Sequence, residues 1–247
     1  MGCASTLDGR LTASAVTGKP FETNTVRANN TVVDDKLRPA AEMHILIGGP
    51  YVLDGETHRY GHTAIRVKTR TTDTTYDFGR YGRVTGDFGA EGEGILRVWS
   101  NFSAYIVGEA ATGRQTVAFV FAIFDHQAKA VNDHFNLLIA GATPRPEMER
   151  SRSGLKVYRL PTNYHALGYN CTTLSLDGAR QAFPNFEDGS AAFIKPEEVM
   201  TFSERMAMKT IGGGTPHRIF LPANLQSFLS TKPAIEPVRV ERYGTSK

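Results

Sequence analysis

An α+β fold follows from two patterns in the sequence. Residues 61–68, 75–78, 95–99 and 155–160 alternate between apolar or small and polar side chains, the period of half-buried strands. The runs His44–Ile47 and Val117–Phe124 are apolar enough for fully buried strands. Residues 127–139, by contrast, place Ala128, Val131, Phe135 and Leu138 on one face of a helix. With 247 residues, 40% of them hydrophobic, the chain can bury a sizeable core, which excludes global disorder.

Taken in order, residues 1–40 are rich in Thr, Asn, Ala and Asp and weakly periodic, so a loosely held N-terminal arm is expected. The first buried strand, His44–Ile47, is ended by Gly48-Gly49-Pro50. Residues 61–68 and 75–78 form a hairpin across the polar turn 71–74, which puts His62 and Asp77 on neighbouring strands. Six glycines between Gly79 and Gly94 predict a long flexible loop, either a substrate lid or a surface excursion. Asp125 is a good N-cap for the amphipathic helix, and the loop Thr143–Pro146 ends it. A helix is expected over 172–182, opened by Tyr169-Asn170-Cys171. Two more begin at Pro196 and Pro222, with proline in the first turn, and Gly212–Gly214 is a flexible joint between them. No repeat or second domain is visible, so 41–247 reads as one domain with a C-terminal helical extension.

Charge and hydropathy exclude some functions. The net charge of +3 is scattered, without the basic block that tracks phosphates, so no nucleic-acid partner is expected. No apolar run nears the roughly 20 residues that span a bilayer, so no stable membrane insertion is expected. The start lacks the apolar core of a secretory signal, and export, if any, needs another route. Gly2, Cys3 and Thr6 match a lipidation pattern that is short enough to arise by chance.

Two cysteines, Cys3 and Cys171, are too few for a thiolate metal site or a disulfide scaffold, though a single bridge between them is conceivable. No metal or cofactor is expected. Cys171 has the setting of a nucleophile, since a helix N-terminus favours thiolate and supplies backbone donors for an oxyanion. A small buried hydrophobe is the bland alternative. A cysteine nucleophile needs a base, and His62 stands out among seven histidines: it lies inside a strand, after Gly61 and beside the small residues Thr63 and Ala64. His44, His58, His126, His134, His165 and His217 fall in loops, on the helix or at strand ends. A third group must orient the imidazole; Asp77 is favoured over the turn residue Asp73, the alternative being an Asp77–Arg80 pair at the strand end. Asn170, Tyr169 and Gly61 are the expected substrate-binding or oxyanion residues.

The strand Gly61-His62-Thr63-Ala64-Ile65-Arg66-Val67, an acid on the next strand and a late Asn170-Cys171 at a helix start resemble the circularly permuted NlpC-type papain-like superfamily. The runs Tyr76–Gly82 and Glu93–Trp99 also resemble its bacterial members, several of which are antibacterial effectors delivered by type VI secretion. The resemblance covers about 44–185. It implies a central antiparallel sheet with packed helices, Cys171 as nucleophile, His62 as base and then acid, and Asp77 as orienter, although the third residue in such enzymes is often His, Asn, Gln or Glu. It further implies amide hydrolysis in the peptide stem of peptidoglycan, delivery from the bacterial cytoplasm to a target periplasm, a secretion-apparatus carrier and an immunity protein. Two rivals remain: a cysteine protease, deamidase or acyltransferase acting on a cytoplasmic protein, and a non-catalytic binding module.

Overall fold

A computed structural model describes residues 18–25, 39–53, 56–85, 90–111, 113–149, 154–210, 214 and 216–244. Cys3, with the conceivable bridge to Cys171, the lipidation pattern and the Gly212–Gly213 part of the joint lie outside them.

Ten strands form one sheet among these residues, and every pairing between neighbours is antiparallel. In chain order they are β1 (Glu22–Thr25), β2 (Ala41–Gly48), β5 (His62–Lys68), β6 (Asp73–Thr85), β7 (Glu91–Trp99), β8 (Thr116–Ile123), β9 (Thr143–Pro144), β10 (Leu155–Arg159), β11 (Tyr164–His165) and β12 (Arg239–Tyr243). A separate small hairpin of β3 (Tyr51–Leu53) and β4 (Glu56–His58) links β2 to β5. The spatial order is β1-β12-β8-β2-β5-β6-β7-β10-β9, with β11 added on β7.

β2 and β8 lie at the centre because their aliphatic and aromatic residues can be covered on both faces. Ile45 sits opposite both Ile65 and Phe119, and all three are buried. Alternation sends Ile45, Ile65, Val67, Tyr76 and Phe78 to one side, beneath α2 (Asp125–Ala140), α3 (Cys171–Ala182) and α5 (Pro222–Thr231). Leu46, Ala64, Ile95 and Val120 go to the other, beneath α1 (Phe102–Ala110). α3 packs closely at Gly178, where a Cβ would come within 2.7 Å of the Phe135 ring.

Five expectations need correction. The glycine-rich stretch 79–94 is mostly sheet, not a long loop: β6 continues to Thr85 through a bulge, and β7 resumes at Glu91. At Gly79 a Cβ would run into the Tyr81 ring, and at Gly94 it would run into the Thr162 carbonyl oxygen and the Phe78 ring. The N-terminal arm contributes an edge strand, β1, that covers the otherwise open edge of β12. Asp125 is the first residue of α2 rather than its cap, and Gln127 reaches back to accept the Phe124 N–H at 2.9 Å. The proline at 196 starts one 3₁₀ turn, and the helix α4 (Phe202–Thr210) begins later. Thr201 Oγ1 accepts the Glu204 N–H at 3.3 Å while the Glu204 carboxylate accepts the Thr201 N–H at 2.7 Å, a reciprocal cap that fixes the start of α4. The C-terminal region is not purely helical either, because β12 inserts between β1 and β8. No helix among the described residues is long and apolar enough to cross a membrane.

Candidate active site

Gly61 delivers the chain into β5. Its φ is +71°, and a Cβ there would lie 2.5 Å from the Gly48 carbonyl oxygen, so the approach to the end of β2 requires glycine. His62 follows as the first residue of β5. Asp77 sits opposite Ala64 and therefore diagonal to His62 on the same face, within reach of a long side chain. The His62 Nε2 to Asp77 Oδ1 separation is 2.5 Å, and Asp77 is completely buried.

Cys171 comes from the opposite side of the sheet. It is the first residue of α3, and Asn170 is the N-cap: Asn170 Oδ1 accepts the backbone N–H groups of Thr172 at 2.9 Å and Thr173 at 3.0 Å. Thr63 and Thr172 hydroxyls meet at 3.1 Å, stitching the helix start to β5. His62, at the end of its strand, thus reaches Asp77 on the α1 side and Cys171 on the α3 side. With Nε2 committed to Asp77, Nδ1 remains for the thiol, and imidazole and thiol are close enough for each to shift the titration of the other.

The electrostatics follow from these contacts. Burial works against the His62 imidazolium, yet Asp77 and then Cys171 outweigh it and push the group up to about 10. Burial also opposes ionisation of Cys171, but the His62 charge and hydrogen bond, the Thr63 N–H and the Tyr164 hydroxyl together lower the thiol below its ordinary value. For Asp77, burial is opposed by the Arg97 guanidinium and by His62, which hold the carboxyl well below the usual range. Each of these contacts favours the ionised form: carboxylate at Asp77, imidazolium at His62 and thiolate at Cys171.

Cys171 opens into a cavity of about 500 Å³. Gly61, Asn170, Tyr164, His165 and Arg80 line it near the thiol, the apolar side chains of Leu167, Met200, Met208, Phe220 and Leu221 form a floor, and α4 closes one side with Ser203, Glu204 and Ala207. Tyr60, also on the wall, donates its hydroxyl to Glu204, and Arg59 approaches the same carboxylate at 3.5 Å.

The structure brings together Cys171, His62, Asp77, Asn170 and Gly61, and it corrects two roles. Both Nδ2 hydrogens of Asn170 are spent on carbonyls, Ala166 O at 2.7 Å and Phe220 O at 3.0 Å, so the side chain is a cap and a clamp with no hydrogen left for an oxyanion. Tyr169 turns away from the cavity, its ring packed edge-on to Phe78 at 5.1 Å. Its expected place is taken by Tyr164, whose hydroxyl is 4.0 Å from Cys171 Sγ. Asp73 is bound bidentately by Arg66, at 2.7 and 2.5 Å, away from the site. Arg80 faces the cavity, and the cation on Asp77 is Arg97. Among the other histidines, His165 shares the cavity but faces Glu91 at 3.9 Å. His58 stacks on Tyr51 with ring centroids 4.5 Å apart. No three His, Cys, Asp or Glu side chains among the described residues converge as a metal site.

Sequence reasoning missed Arg97, Tyr81, Tyr164 and the place of α4 on the cavity wall. For Arg97 a signal existed: it is the single charge in the apolar run Ile95–Trp99, and a charge inside a buried strand demands a partner. No family model, curated protein or solved structure matches this chain.

Proposed function

We propose that the chain is a cysteine hydrolase on a permuted papain-like scaffold of NlpC type, cleaving an amide through an acyl-enzyme. The observation that carries this reading is His62, which at one point joins a fully buried carboxylate to a thiol at a helix N-terminus, on the wall of an open cavity. The Cys171 thiolate attacks the carbonyl carbon, and negative charge develops on its oxygen. The Cys171 backbone N–H at the start of α3 and the Tyr164 hydroxyl, 4.0 Å from the thiol sulfur, are the donors that would hold that oxygen. His62 gives its Nδ1 proton to the leaving amine, the C–N bond breaks, and a thioester remains. Water, deprotonated by the neutral imidazole, then attacks the thioester and returns the thiolate and a carboxylic acid. Asp77 keeps Nε2 protonated throughout.

The peptide stem of peptidoglycan is the proposed substrate, on the strength of the sequence resemblance, with an antibacterial toxin delivered to a target periplasm as the biological setting. Purified protein should change the muropeptide profile of isolated sacculi, and Cys171→Ala should not. Expression with a periplasmic signal should lyse bacteria only when Cys171 and His62 are intact. Unchanged sacculi together with toxicity that survives Cys171→Ala would reject the nucleophile and the mechanism.

A further inference from the structure

His62 must lose and regain its proton during turnover, yet Asp77 is wholly buried and a buried carboxylate without a partner is unstable as an anion. If His62 were its only cation, Asp77 would lose its partner each time the imidazole became neutral. The β6–β7 pairing resolves this by placing Arg97 directly opposite Asp77. Arg97 Nε donates to Oδ2 at 2.7 Å and Nη2 donates to the same oxygen. Oδ1 is left for His62 Nε2 and for the Tyr81 hydroxyl, which donates at 3.2 Å and itself accepts from Arg97 Nη2 at 2.6 Å. The guanidinium also stacks over the Tyr81 ring, 4.0 Å from its centroid. Tyr81 reaches Asp77 by folding back along its own strand, from the first residue of the bulge and over Gly79, where a Cβ would collide with the ring.

We infer that Arg97, with Tyr81 bracing it, is a positioning residue of this site: a permanent cation that keeps Asp77 ionised in every protonation state of His62 and aims Oδ1 at Nε2. This rests on the proposed reading of Cys171 and His62. Arginine suits the task because it does not deprotonate in proteins and its fork fixes the carboxylate plane. The other titratable groups facing this cluster are Tyr105 and Glu109 of α1, and Glu109 is paired with Arg114. Without Arg97, carboxylate, imidazolium and thiolate together would carry a net negative charge in a buried site. The thiol would then hold its proton to higher pH. Asp77 could also take the Nε2 proton, leaving the imidazole with its hydrogen on Nδ1 and unable to accept one from the thiol.

The test reads the thiol and needs no substrate. In a Cys3→Ser background Cys171 is the sole cysteine, and its iodoacetamide alkylation rate is followed from pH 4 to 10, with near-ultraviolet circular dichroism to confirm folding. Arg97→Gln should move the alkylation midpoint up by about one pH unit, Arg97→Lys should restore most of that shift, and Tyr81→Phe should move the midpoint less than Arg97→Gln. A folded Arg97→Gln protein with the wild-type midpoint overturns the inference, because a purely structural residue alters melting without altering the titration. If Arg97→Gln does not fold, Tyr81→Phe decides: a wild-type midpoint overturns the inference, and an upward shift supports it. Failure of the catalytic reading looks different. Cys171 of the parent protein would then titrate as an ordinary thiol and be indifferent to His62→Gln.

Discussion

Asn170→Ala separates two accounts of the residue before the nucleophile. The side chain caps α3 through Thr172 and Thr173 and clamps the Ala166 and Phe220 carbonyls, and it is 1% exposed. Loss of the cap costs about 1 kcal/mol. Each carbonyl that loses its donor adds about 1 kcal/mol, for a total of about 3 kcal/mol. For a domain of this size that corresponds to a fall in melting temperature of roughly 6–12 °C. Asn170→Ser keeps an N-cap oxygen and forfeits both clamps, so it should fall between wild type and Asn170→Ala. Thermal melts by far-ultraviolet circular dichroism at one pH suffice. If Asn170→Ala melts within about 2 °C of wild type, less than the cap alone is worth, the capping account is wrong. Lost turnover in such a protein would then return Asn170 to the role of an oxyanion donor.

Gly61→Ala should destabilise by about 2–3 kcal/mol, because an L side chain in the left-handed region would also press on the Gly48 carbonyl; denaturant unfolding checks this, and a loss below about 0.5 kcal/mol would mean that the turn relaxes freely. Asp77, held well below its ordinary value, contributes stability that is fully present above about pH 4 and is lost as the pH falls further. Melting temperature should therefore drop more steeply on acidification in wild type than in Asp77→Asn, and parallel curves would contradict an ionised Asp77. Tyr60→Phe removes the hydroxyl that holds Glu204, so amide exchange over 202–210 should quicken roughly fivefold while the central strands stay unchanged; equal exchange would show that α4 is held by its apolar floor alone.

The sequence by itself determined the elements whose signals are local. Alternation located the His62 and Asp77 strands, since a strand shows its buried face every second residue. Asn170 before Cys171 announced the start of α3 because the cap acts within one turn. Pro222 likewise marked α5. The same local reasoning failed where a signal had a non-local cause. Glycines at 79 and 94 looked like loop punctuation, but they make room for the Tyr81 ring at one position and for the Thr162 carbonyl and the Phe78 ring at the other. The Thr201–Glu204 cap was present in the sequence and was masked by the stronger proline signal at 196.

Only the tertiary structure decided the wiring of the site. Whether Asp77 meets Arg80 or Arg97 depends on the β6–β7 register, and register is set by which faces the whole sheet buries, beneath α1 on one side and α3 on the other. The choice between Tyr169 and Tyr164 rests on β11 pairing with β7, which turns one ring into the core and leaves the other hydroxyl beside Cys171. A sequence records which groups are available along one chain. Their pairing is fixed by contacts between segments far apart in that chain, and it appears only once the sheet has assembled.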